Sequence, residues 1–145
     1  MPLDDGHCFA CGPDNPIGLH LRFEPDADAG VRARISLGPD FQGWKGIAHG
    51  GIAMALLDEA MAHAAGAAGH RGVTASMNAR FRKPIPVGEP LEITGGVVWT
   101  RRNVLGLVAR VRDSRGTLLV EGEGSFVSMG PIEAIADRRN PAANS

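Results

Sequence analysis

The run GGIAMALLDEAMAHAAG, residues 50–66, constrains this chain more than any other part of it. Ile52, Leu56, Ala60 and His63 recur at helical spacing, and alanine, the best helix former, fills most positions between them. A helix built this way is apolar around nearly its whole circumference, so it has to be wrapped by other structure rather than laid on a surface. Two residues break the pattern: Asp58 and Glu59 stand in its middle. Taking a carboxylate out of water is expensive unless something pairs with it or uses it. Both are therefore candidate functional residues.

The rest of the sequence supplies the wrapping. GLHLRFEP (18–25) and VRARISL (31–37) alternate apolar and polar side chains, which predicts a β-hairpin over 18–37. GPDFQGWKGIA (38–48) reads as a loop. Four further strands are expected over 72–82, 89–100, 103–112 and 117–128, with Pro84 and Pro86 ending the first. In the last of them Leu118, Val120, Gly122, Gly124 and Phe126 share one face. A hairpin, one buried helix and a four-strand meander make an α+β chain in which a single curved antiparallel sheet wraps the helix, the hotdog architecture. The expected division is an irregular N-terminal arm (1–17), one domain (18–129) and a polar tail (130–145).

Composition narrows the class. With 145 residues, 43% hydrophobic and 21% charged, the chain fits one soluble domain. No apolar run approaches the ~18 residues of a membrane span, and the acidic opening MPLDDGHCFACG lacks a hydrophobic leader, so a cytoplasmic location is expected. A net charge of −1 argues against general nucleic-acid binding. Between residues 80 and 115, however, eight basic side chains face three acidic ones, a local net of +5 that suits phosphates or merely solvated strand faces. Cys8 and Cys11 are spaced C-x-x-C. His7 and His20 stand near enough in sequence to join a zinc set, but with only two thiols a turn-forming pair is the expectation, and no metal is assigned.

HGGIAMALLDEAM (49–61), TASMNARFRKPIPVGE (74–89) and CFACGPDNPIGLHLRF (8–23) together resemble the hotdog acyl-CoA thioesterases of the phenylacetyl-CoA thioesterase (PaaI-like) type, over nearly the whole chain. The resemblance implies that the Gly50 amide polarises a thioester carbonyl, that Asp58 is the catalytic carboxylate and that Thr74 places a hydroxyl beside it. It implies that Phe81 and the stretch Trp99 to Asn103 touch coenzyme A, with Arg101 and Arg102 facing its phosphates. Gln42 is the one candidate for a polar group that helps hold the carbonyl or water. Coenzyme A is then part of the substrate, and no separate cofactor is expected.

The chemistry agrees with these assignments. A helix's first turn offers free amides and partial positive charge to a developing oxyanion, and Gly50 and Gly51 put no Cβ in the way. Asp58 lies eight residues further on, displaced by roughly 12 Å along the axis, whereas the attacking atom must reach the same carbon. One helix cannot do both, so two antiparallel helices from a homodimer, itself free to pair into a tetramer, are expected to build each site. Asp58 then acts as general base or as nucleophile. Glu59 is the rival carboxylate on the substrate side, His49 caps the helix or takes part in catalysis, and Asn78 lines the cleft or pins the sheet. The competing readings are a 3-hydroxyacyl thioester dehydratase or hydratase pairing His49 with Glu59, and an acyl-CoA-binding protein without turnover.

Overall fold

The computed structural model describes residues 5–26 and 30–131, so nearly all of the expected polar tail lies outside the described residues. One helix, α1 (Gly50–Ala67), runs through the concave side of a six-stranded antiparallel sheet made of β1 (Glu24–Pro25), β2 (Val31–Ser36), β3 (His70–Phe81), β4 (Pro90–Arg101), β5 (Val104–Asp113) and β6 (Leu118–Pro131). This is the expected architecture, and the ends of α1 and of β2 to β6 fall within three residues of those read from periodicity. Ala53, Leu56, Leu57, Ala60, Met61, Ala64 and Ala65 are buried on the helix. They meet Ile93, Leu105, Leu107, Val111, Val120 and Phe126 of the sheet, all at most 1% exposed. The helix seats so closely that a Cβ at Gly95 would collide with the Ala60 carbonyl. Phe126 is the largest of the fully buried side chains, and Phe126→Ala is expected to cost about 3–5 kcal/mol of stability, read from chemical denaturation.

Two expectations need correcting. The strands after the helix are not a four-strand meander. The spatial order is β1-β2-β4-β5-β6-β3, so only β4, β5 and β6 follow one another, while β3 crosses to pair with β6. Pro84 and Pro86 cannot continue a ladder, and the β3–β4 connection instead runs past the loop before α1, with Ile85 buried and Pro86 bridged to Ile47. The hairpin over 18–37 is also shorter than its alternation suggests, for β1 holds only Glu24 and Pro25 against β2. Leu19 and Leu21 are buried as the pattern requires, but their amides donate to the carbonyls of Phe9 and Ala10. The N-terminal arm is thus the partner of residues 19–21, and both fold over the domain.

The sheet ends at β3, which leaves that edge without a neighbouring strand among the described residues. Residues 73–76 are exposed in succession, as expected for a strand covered on neither its edge nor its outer face. No helix of the described residues is long and apolar enough to cross a membrane.

Candidate active site

His49 is the N-cap of α1: its Nδ1 accepts from the Gly51 amide at 2.8 Å. The ring lies so near that a Cβ on Gly51 would sit 3.1 Å from Nδ1, so the bareness of Gly51 serves this cap. Gly50 differs. Nothing within 4 Å would meet a Cβ there, and no group among the described residues accepts from its amide. The chain therefore presents one outward-facing donor at the positive end of its central helix.

Asp58 is half-buried on α1, and the Thr74 hydroxyl donates to its Oδ1 at 2.6 Å. The contact depends on an irregularity. Met77 and Ala79 pack against the core, so strand alternation puts Asn78 on the outer face. By alternation alone Thr74 would lie there too, but a register shift between Thr74 and Ser76 turns it toward the helix. Asn78 accordingly lines a shallow outer depression with Arg80, Arg110, Glu121 and Glu123, not the surroundings of Asp58.

Glu59, one residue on, points elsewhere. Its Oε1 lies 3.0 Å from His63 Nε2, and Cys8 Sγ is 3.8 Å away. Burial pushes the Glu59 carboxyl up, but hydrogen bonds and charge from His63 and the two thiols outweigh it and hold the group below its ordinary value. His63 also stacks on Phe23, with ring centroids 4.6 Å apart. The His49–Glu59 pair of the dehydratase reading is not brought together within the chain, since each is held by another partner.

The remaining candidates divide. Gln42 uses its Oε1 to accept from the Gly46 amide at 3.1 Å, closing the loop ahead of the helix. Arg101, Arg102 and Asn103 form the exposed β4–β5 turn and line one depression with Trp99 and Val104. Trp99 lies across Gly106, where no Cβ would fit. Arg82 and Arg110 are paired with Glu121, at 2.7 and 3.9 Å, whereas the turn arginines have no carboxylate partner among the described residues. Arg102 holds φ at 56°, a left-handed conformation unfavourable to any side chain. Phe81 is 54% exposed but does not join this group. It is level with Val120, whereas Trp99 is level through Gly106 with Ser125, about 17 Å along the strands at ~3.3 Å per residue. Sequence reasoning missed the link between the arm's thiols and Glu59, for which only the Glu59–His63 spacing of four gave any signal.

One helix sheathed in an antiparallel sheet, opening on a bare glycine turn and carrying a hydroxyl-bound aspartate, defines a hotdog protein of the thioesterase kind. Residues 45–120 match the model of the Thioesterase superfamily, more than half of the chain, and the chain belongs to that family. It is 30% identical over 131 residues to the bovine acyl-coenzyme A thioesterase THEM4, covering 89% of this chain and 54% of that one. The crystal structure of RHA08564, a thioesterase superfamily protein, superposes with a TM-score of 0.80 at 31% identity, over 84% of this chain and 60% of that one. The PaaI protein of the phenylacetic acid degradation operon of E. coli shares the fold, with a TM-score of 0.71 at 17% identity over 78% and 82% of the two chains. The chain spans about half the length, or less, of the curated relatives it matches.

Proposed function

We propose that this protein hydrolyses acyl-CoA thioesters to a free acid and coenzyme A, in sites each built from two copies of the chain. The observation that carries this reading is the pairing of a half-buried Asp58 with the Thr74 hydroxyl, on a helix whose Gly50 amide faces outward without a partner. The two groups are too far apart along one helix to meet a single carbonyl. The open β3 edge, exposed over residues 73–76, gives a second copy a place to pair, and Thr74 is in that stretch. The THEM4 likeness supports acyl-CoA as the substrate class.

In this mechanism the Gly50 amide of one chain donates to the thioester oxygen, and the helix dipole favours the negative charge that develops there. In the partner chain, Thr74 donates to one oxygen of that same chain's Asp58 and fixes the carboxylate, leaving the other oxygen for chemistry. As general base, that oxygen takes a proton from water as the water adds to the carbonyl. As nucleophile, it adds itself, coenzyme A thiolate leaves, and water opens the resulting anhydride. The exposed Arg101 and Arg102 meet the phosphates of coenzyme A. Arg102→Gly is then expected to act in opposite directions on two readouts. It relieves the left-handed strain, raising stability by about 1 kcal/mol, and it raises KM severalfold.

The test is a panel of aryl and aliphatic acyl-CoA thioesters with free-thiol detection, run beside a 3-hydroxyacyl-CoA monitored for dehydration. Thiol release from saturated substrates, with turnover lost on Asp58→Ala, is the expected result. Dehydration without thiol release, or saturable binding with no turnover of any thioester, overturns it.

A further inference from the structure

The N-terminal arm carries side chains that the hydrolytic mechanism does not use. Cys8, Cys11 and Glu59 each offer a donor atom, and the three atoms lie within 4.8 Å of one another. Cys8 Sγ is 3.8 and 4.0 Å from the two oxygens of Glu59. A tetrahedral cation with bonds of about 2.3 Å to sulfur and 2.0 Å to oxygen separates such donors by about 3.5 Å, so only small adjustments are needed. We propose that Cys8, Cys11 and Glu59 bind a thiophilic divalent cation of the zinc class, which fastens the N-terminal arm to the central helix.

Four features prepare the site. The turn that aims both sulfurs one way is closed by the Gly12 amide donating to the Cys8 carbonyl at 2.9 Å, and a Cβ at Gly12 would strike Cys8 backbone. The Cys11 amide donates to Cys8 Sγ at 3.4 Å and so holds that sulfur in place within the turn. Glu59 arrives from a rigid helix with its side chain only 12% exposed, and His63 holds it at 3.0 Å, the outer partner that ligating carboxylates require. The cluster also borders a cleft of about 780 Å³ lined by His7, Phe23, His63 and Arg71, from which water reaches the fourth position.

The protons balance: on binding, each thiol releases one proton to solvent, and two thiolates and one carboxylate meet two positive charges, leaving the site with one negative charge. Two thiols with one carboxylate also match zinc better than magnesium or calcium, which take oxygen donors. The link joins residues 8 and 11 to residue 59, so it closes a long loop and should stabilise the folded state in proportion to occupancy.

Reduced, metal-free full-length protein titrated anaerobically with Co²⁺ tests this. The expected spectrum has sulfur-to-cobalt charge transfer and intense tetrahedral visible bands, saturates at one ion per chain and is displaced by Zn²⁺. Cys11→Ser and Glu59→Gln should each weaken Co²⁺ affinity at least tenfold, and His63→Ala about 10- to 100-fold. Zn²⁺ should raise the Tm of wild type by several degrees and leave that of Cys8→Ser, whose replaced side chain is exposed, unmoved. Absence of the charge-transfer band in wild type overturns the proposal. So does an equal Zn²⁺ effect on wild type and Cys8→Ser, or Co²⁺ binding that survives loss of both thiols.

Discussion

Asp58→Ala is expected to lower kcat for acyl-CoA hydrolysis by about 10²–10⁴-fold, the range that a positioned acid–base group contributes. Folding should barely change. The substitution removes one hydrogen bond, that of Thr74 at 2.6 Å, from a half-buried position, which is about 1 kcal/mol or less. Asp58→Asn sharpens the reading, because an amide keeps the hydrogen bond from Thr74 but neither accepts a proton from water nor attacks the carbonyl. Both variants should retain affinity for coenzyme A. If Asp58→Asn turns over as wild type does, the carboxylate is structural and the mechanism fails.

Gly50 gives the second large effect, with an unusual sign. A Cβ there meets nothing within 4 Å in the chain itself, and alanine favours a helix over glycine by about 1 kcal/mol in a helix interior, so Gly50→Ala should fold as well as wild type or slightly better. Its methyl would stand where the thioester has to approach the amide. Loss of an oxyanion donor lowers kcat by about 10²–10³-fold, and Gly50→Val should approach that range, with Gly50→Ala losing tenfold or more. Gly51 is the control that separates approach from capping. A Cβ there presses on the His49 ring at 3.1 Å, so Gly51→Ala should destabilise as well as slow the enzyme. Equal activity of Gly50→Val and wild type would mean that no substrate comes to this turn.

The carboxylates show how much of the site could be read from the sequence. Asp58 and Glu59 are equally anomalous in an apolar helix, and periodicity says only that they point about 100° apart. The role proposed for Asp58 rests on the resemblance of HGGIAMALLDEAM to a known motif, and the Thr74 hydroxyl bonded to its carboxylate is consistent with that role. The surroundings of Glu59 were beyond reach because its partners Cys8 and Cys11 lie some fifty residues away, brought in by an arm with no periodic pattern. His49 was legible as a cap because capping is local, a side chain reaching an amide two residues on. The bulge that turns Thr74 inward was not legible, because a single extra residue reverses the facing of a strand without changing its local pattern.

By itself the sequence determined the helix, the strands and the need to wrap one with the other, since burying an apolar cylinder and alternating strands is a local property of side-chain order. It also determined that the central helix starts on a bare, capped turn. Only the tertiary structure decided that β3 leaves its sequence neighbour to close the far edge against β6, that the arm pairs with residues 19–21, and that a bulge after Thr74 turns its hydroxyl to the helix. Strand pairing and bulges are settled by contacts between distant segments competing for the same hydrogen bonds and the same core, and no stretch of residues carries that competition within itself.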